Sequence, residues 1–276
     1  MSKIAVPESP QATGLHGARV DVAPAGTAWL ALHLVRLELE SRCRALVRAL
    51  GIRRPARLTL ADLAPPETPL SREATEWGSE VCPPLLLDHG RRGFLFADAI
   101  GRHYGWTYDR EVLYLACLLH DLGLAPRFDT GGAFERDGAD AAVEFLAARG
   151  LSGGRLRLLR EVIELHDAPH RAHRASLETR LGHFGIGLDV LGVHREDLHR
   201  DTLTAIVDSW PRGDFRREFP RVIKDQAERK PWSHIARLDR LGLGSRIAAA
   251  PSSAASDMKT VTSTRPLIPP IRPMRA

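Results

Sequence analysis

Cysteine is scarce in this chain: three residues of 276, at Cys43, Cys82 and Cys117. None forms a C-x-x-C pair, which argues against a zinc knuckle or a disulfide framework and makes a reducing cytoplasm the expected compartment. Lysine is nearly absent too, since Lys3, Lys224, Lys230 and Lys259 are the only lysines among 39 basic residues. No apolar run approaches the ~20 residues a membrane helix needs, so no membrane association is expected. No basic, then apolar, then small-residue export signal opens the chain. A G-x-S-x-G nucleophile elbow, a phosphate-binding G-x-x-x-x-G-K loop and a strand-led G-x-G-x-x-G turn are all missing, so neither a serine triad nor a nucleotide cofactor is indicated. Alternating strand patterns are missing beyond a weak one at Arg57–Leu60.

What is present is ordinary for a globular protein: 43% apolar and 26% charged residues. Of the net charge of +5, three units belong to residues 251–276, which carry Lys259, Arg265, Arg272 and Arg275 against Asp257. Residues 1–26 balance, and the body from 27 to 250 is close to neutral. A nucleic-acid partner needs a basic face on the folded domain, and none is indicated. Residues 1–26 read as a flexible leader. Residues 251–276, with Pro251, Pro266, Pro269, Pro270 and Pro273, read as a disordered tail.

Residues 27–250 read as one all-α domain. A helix is predicted from about Thr27 to Leu50, with Leu32, Val35, Leu39, Cys43, Leu46 and Leu50 near one face. Residues 51–84 read as a loop with room for one short helix. Further helices are expected from Pro84 to about Tyr104, from an Asp109 cap through Leu119, from Asp137 to Arg149, and from Gly154 to His166, where Pro169 stops the last. Leu177–Leu191 and Leu198–Trp210 complete the set. The helix after Asp109 is apolar nearly all round, as central buried helices are.

That central helix ends in Leu118-Leu119-His120-Asp121-Leu122-Gly123. Composition alone yields His-Asp pairs, and a second stands at His166-Asp167; the context of the first is what matters. A charged Asp is almost never buried without a partner, and a metal ion bound by imidazole and carboxylate would supply one. His89 lies on the preceding helix, and Asp189 stands in the apolar run Gly185–Gly192.

The order His89, His120-Asp121, Asp189 resembles the H…HD…D pattern of the HD-domain metal-dependent hydrolases. The runs His89-Gly90-Arg91-Arg92, Leu118–Gly123, Phe134–Ala142, Leu165-His166 and Gly187–Gly192 are similar to its cyanamide hydratase-type branch. The likeness covers about residues 85–220. It implies an all-α HD-domain helical bundle in which His89, His120, Asp121 and Asp189 hold one divalent transition metal ion, zinc first, with iron or manganese as alternatives. It also implies an enzyme that adds water to a small neutral substrate, cyanamide to urea or a nitrile to an amide. Asp121 or His166 is the expected proton carrier. Arg92, Leu124, Glu135 and Asp137 are expected to bind substrate or orient ligands, with Asp137 also a candidate N-cap. Leu124 stands where many HD phosphohydrolases place a lysine, which favours an uncharged substrate. Two alternatives stay open. One is a phosphohydrolase or phosphodiesterase using Arg91, Arg92 or Arg127; the other is a non-catalytic regulatory HD module. The expected partner is a small-molecule substrate; oligomeric state is not fixed by the sequence, and a homo-oligomer is allowed.

Overall fold

The computed structural model describes residues 57–250 and, before them, Leu32, Val35, Arg36, Leu39, Cys43, Leu46, Val47, Leu50 and Pro55. The expected leader and tail, at 1–26 and 251–276, lie outside the described residues, as does most of the helix expected from Thr27. Where that helix is described it is helical up to Val47, but Leu32, Val35, Leu39, Leu46 and Leu50 are exposed rather than packed on the body.

Eleven helices and no strand occur among the described residues. In order they are α1 (Pro69–Val81), α2 (Pro84–Tyr104), α3 (Arg110–Leu119), α4 (Phe134–Ala147), α5 (Gly153–Leu165), α6 (Pro169–Ala172), α7 (Leu177–Leu191), α8 (Arg200–Ser209), α9 (Phe215–Arg229), α10 (His234–Arg240) and α11 (Leu243–Ala249). Asp109 caps α3 by accepting from the Val112 amide at 3.0 Å. Every residue from Val112 to Leu119 is buried, as expected of the apolar central helix.

Two departures have local causes. Helix α4 begins at Phe134, so Asp137 lies inside its first turn and is not the N-cap. The Asp137 carboxylate instead accepts from the Thr130 amide at 3.1 Å and hydroxyl at 2.7 Å. Pro169 does not stop α5, which has already ended at Leu165; it occupies the first turn of α6, where a proline costs no hydrogen bond. Helices α9 to α11 have no counterpart in the sequence expectation. Helix α9 carries Pro220 and six Arg or Lys and Asp or Glu residues in its Phe215–Asp225 stretch, which hides an apolar stripe of Phe215, Phe219 and Ile223.

Close helix approach sets up the site. A Cβ on Gly185 of α7 would collide with the Gly93 carbonyl and sit 2.5 Å from the Ala97 amide of α2. Only glycine permits that antiparallel contact. One turn further on α7 is Asp189, and one turn back on α2 is His89, so the contact brings the two together. Gly90 does the same on the opposite side, where a Cβ would lie 2.6 Å from the Cys117 carbonyl of α3. The end of α3 is thereby pressed against His89.

Candidate metal centre

His89 projects from α2, His120 ends α3, and Asp121 follows it in the turn. His89 Nε2, His120 Nε2 and Asp121 Oδ2 are buried and meet no hydrogen-bond partner. One ligand atom from each of the three residues lies within 4.8 Å of the others. His120 Nε2 is 3.2 Å, and His89 Nε2 4.0 Å, from Asp121 Oδ2. Buried polar atoms are nearly always satisfied, so three convergent bare ones call for a ligand. Two imidazoles and a carboxylate fit a divalent transition ion with an open position, by donor chemistry as well as by spacing.

The tautomers are fixed from behind. His120 Nδ1 lies 2.8 Å from the Cys117 carbonyl and His166 Nδ1 2.7 Å from the Ile163 carbonyl. A carbonyl only accepts, so each Nδ1 carries the proton and each Nε2 a lone pair. His89 Nδ1 donates to Asp189 Oδ2 at 2.7 Å, leaving its Nε2 bare in the same way. The His166 ring meets His120 edge-on, with centroids 4.7 Å apart.

Charge follows this geometry. Burial pushes the Asp121 carboxyl up, but His120 beside it, with His89 and His166, outweighs burial and holds it at about 2. Burial, aided by the neighbouring His120, depresses His166 to about 3, so its imidazole is neutral at physiological pH.

Asp189 is buried beside this cluster, but its oxygens point at other partners. Arg92 Nε reaches both oxygens at 3.0 Å, Arg212 Nε reaches Oδ1 at 2.9 Å, and His89 takes Oδ2. Asp189, expected as a fourth ligand, is held in this structure by two guanidiniums and the back of His89, and it is not among the three residues whose ligand atoms converge. Burial raises its carboxyl, and the two arginines outweigh that and hold it far below the usual carboxylate range.

The other expected residues divide. Arg92 is buried on Asp189 and the Trp210 carbonyl. Leu124 is buried with Leu86, Phe134, Phe215 and Phe219 in an apolar cluster. The Phe215 and Phe219 rings lie 4.9 and 5.4 Å from that of His89, so this cluster covers the metal-side imidazole. Glu135 and Asp137 line a cavity whose wall includes none of His89, His120, Asp121 or Asp189. Arg212, Phe215 and Phe219 were not anticipated. No local pattern marks them: Arg212 sits in a loop, and both phenylalanines lie in the charged α9. Of the arginines a phosphate reading needs, Arg91 pairs with Asp88 at 2.8 Å, Arg92 is buried on Asp189, and Arg127 is exposed and lies over Phe128.

The HD domain family matches residues 86–208. Those residues are similar to an HD domain, and they contain the His/His/Asp cluster that could hold a metal ion. Within that family the likeness is to the cyanamide hydratase branch. Two yeast proteins, cyanamide hydratase DDI2 and cyanamide hydratase DDI3 of Saccharomyces cerevisiae, are each 29% identical over 184 residues. The match covers 64% of this chain and 81% of each yeast protein. No helix among the described residues is long and apolar enough to cross a membrane.

Proposed function

We propose that this protein is a metal-dependent enzyme that adds water to a small neutral nitrile-type molecule, with cyanamide to urea as the leading case. The observation that carries this reading is the set of three bare, buried donor atoms under an apolar cover, with every nearby arginine engaged elsewhere. His89, His120 and Asp121 would hold the ion, zinc being the first choice for an N,N,O set. When bound, that ion supplies Lewis acidity to the site.

The chain's own residues then have distinct tasks. Leu124, Phe215 and Phe219 exclude bulk water and offer no charge to a ground-state anion. Asp189, held by Arg92 and Arg212, fixes the His89 ring and its tautomer. His166, with Nδ1–H anchored on the Ile163 carbonyl, keeps a lone pair on Nε2 that takes a proton from the attacking water. It then returns that proton to the nitrile nitrogen, and the resulting imidic acid tautomerises to the amide or urea. Such proton transfer is worth ~10²–10⁴-fold.

The phosphohydrolase alternative needs cations aimed at a phosphate, and the pairing of Arg91 with Asp88 and of Arg92 with Asp189 favours the uncharged substrate instead. A screen of metal-loaded protein against cyanamide, small nitriles and nucleotides tests the choice. Urea or amide should appear, and His166→Ala should lower turnover by ~10²–10⁴-fold while keeping the metal. Inorganic phosphate from nucleotides, with no nitrile turned over, would overturn the proposal.

A further inference from the structure

Two histidines outside the metal centre hold the turn that carries His166. Helix α5 ends at Leu165, and His166 and Asp167 form the turn after it. The carbonyls of that turn lie past the helix end, where a donor from elsewhere has to satisfy them. His183 Nδ1 lies 2.6 Å from the His166 carbonyl, and His234 Nε2 lies 3.0 Å from the Asp167 carbonyl. A carbonyl only accepts, so both imidazoles donate. Neither is among the three residues whose ligand atoms converge at the metal centre.

The two donors come from 17 and 67 residues further along the chain. His183 stands on α7, on the same helix as Asp189. A Cβ on the neighbouring Gly182 would lie 2.9 Å from Val162 Cγ1 of α5, so the glycine lets α7 close on that helix. His234 opens α10. Ser233 caps that helix, its hydroxyl accepting from the Ala236 amide at 3.3 Å and donating to the Lys230 carbonyl at 2.7 Å, which fixes where His234 stands. Helix α7 thus holds His89 through Asp189 and the His166 turn through His183.

The His166 ring is tied to its own turn through Nδ1 and the Ile163 carbonyl, so it moves with that backbone. A catalytic group misplaced by about 1 Å can lose ~10²-fold in rate. We propose that His183 and His234 are positioning residues, which clamp the carbonyls of the 166–167 turn and so hold the His166 imidazole beside His120. The proposal rests on the reading of His166 as the proton carrier.

The two rings donate through different nitrogens, and their amide mimics differ accordingly. The amide of asparagine stands where Nδ1 does, and that of glutamine where Nε2 does. In full-length, metal-loaded protein with cyanamide as substrate, His183→Ala and His234→Ala should each lower kcat by about tenfold to a hundredfold, with KM and metal content unchanged. His183→Asn should restore most of that rate and His183→Gln should not; at position 234 the order should reverse. Should either alanine variant fail to fold, His183→Gln or His234→Asn carries the same expectation. Added to His166→Ala, His183→Ala should cost nothing more. Wild-type kcat in both alanine variants, or equal rescue by Asn and Gln at both positions, would overturn the proposal. Wild-type turnover in His166→Ala would instead overturn the proton-carrier reading. The ring also reports without turnover. In histidine-labelled protein the His166 Cε1–H NMR signal, assigned by its loss in His166→Ala, should shift in both alanine variants and return in His183→Asn and His234→Gln. An unmoved signal overturns the clamp whatever the substrate.

Discussion

Helix α2 carries two buried polar clusters, and they are built on opposite principles. Toward its C-terminal end Asp98 is fully buried. Its carboxylate accepts from the Tyr108 hydroxyl at 2.7 Å, Arg110 Nε at 2.8 Å and Arg102 Nε at 3.0 Å. Every lone pair that can be served is served. Nine residues earlier on the same helix, His89 is equally buried, yet its Nε2 and the two atoms facing it have no partner. A satisfied buried carboxylate explains itself as architecture. A cluster whose backs are hydrogen-bonded and whose fronts are bare is explained only by something that binds there. Asp189 joins the two kinds: it is saturated like Asp98, but one of its partners is a ligand of the bare cluster.

The largest effect that would break this contrast is at the bare cluster. His120→Ala and Asp121→Ala should each lose nearly all bound metal, and with it turnover, while the helical circular dichroism persists. Elemental analysis checks this, and full metal occupancy in both variants would remove the metal assignment.

Asp98→Ala should do the opposite. It leaves Arg102 and Arg110 without their shared anion. Both arginines reach solvent, so a cost of about 3 kcal/mol is expected, the low end for a broken buried pair. Chemical denaturation should show that loss, with metal affinity of the folded fraction unchanged. A metal-affinity loss matching that of His120→Ala would erase the distinction between the clusters.

Asp189→Asn sharpens the boundary. A carboxylate that orients His89 from behind should cost about 10–100-fold in metal affinity when neutralised. Loss as complete as in His120→Ala would instead mark Asp189 as a direct ligand.

The smallest effect concerns pH. Burial raises Asp129, but Lys230 at 2.7 Å and the neighbouring Arg229 outweigh it and hold its carboxyl well below the ordinary 3.8. A depressed folded pKa contributes stability above the unfolded value, and that contribution is lost as pH falls through it. Asp129→Asn should therefore be less stable than wild type near neutrality. In urea melts the gap should narrow progressively as pH falls below about 5. A gap that is constant across that interval would show the ion pair contributes nothing.

Much of the fold was legible because it is local. The apolar central helix, the Asp109 cap and the helix ends near Tyr104 and Leu191 are set within about one turn of sequence. The His120-Asp121 pair was legible for a related reason, since charged groups ending an apolar helix need a partner wherever that helix packs. By contrast, Pro220 and a high charge density concealed α9, and with it the phenylalanines over His89.

The all-helical architecture and the suspicion falling on His120-Asp121 come from the residues alone, because backbone periodicity and the cost of burying charge operate residue by residue. What each polar group faces is set by packing. Arg92 and Asp189 are 97 residues apart, and Arg92 and the Trp210 carbonyl 118. Their meeting depends on the glycine contact between α2 and α7, which no local rule encodes. A hydrogen-bond acceptor has few lone pairs, so once packing brings Arg92, Arg212 and the back of His89 to Asp189, its role is set. The same logic turned Asp137 from a cap toward Thr130 and left Glu135 facing a cavity, outcomes that follow from which neighbours arrive and not from the residues themselves.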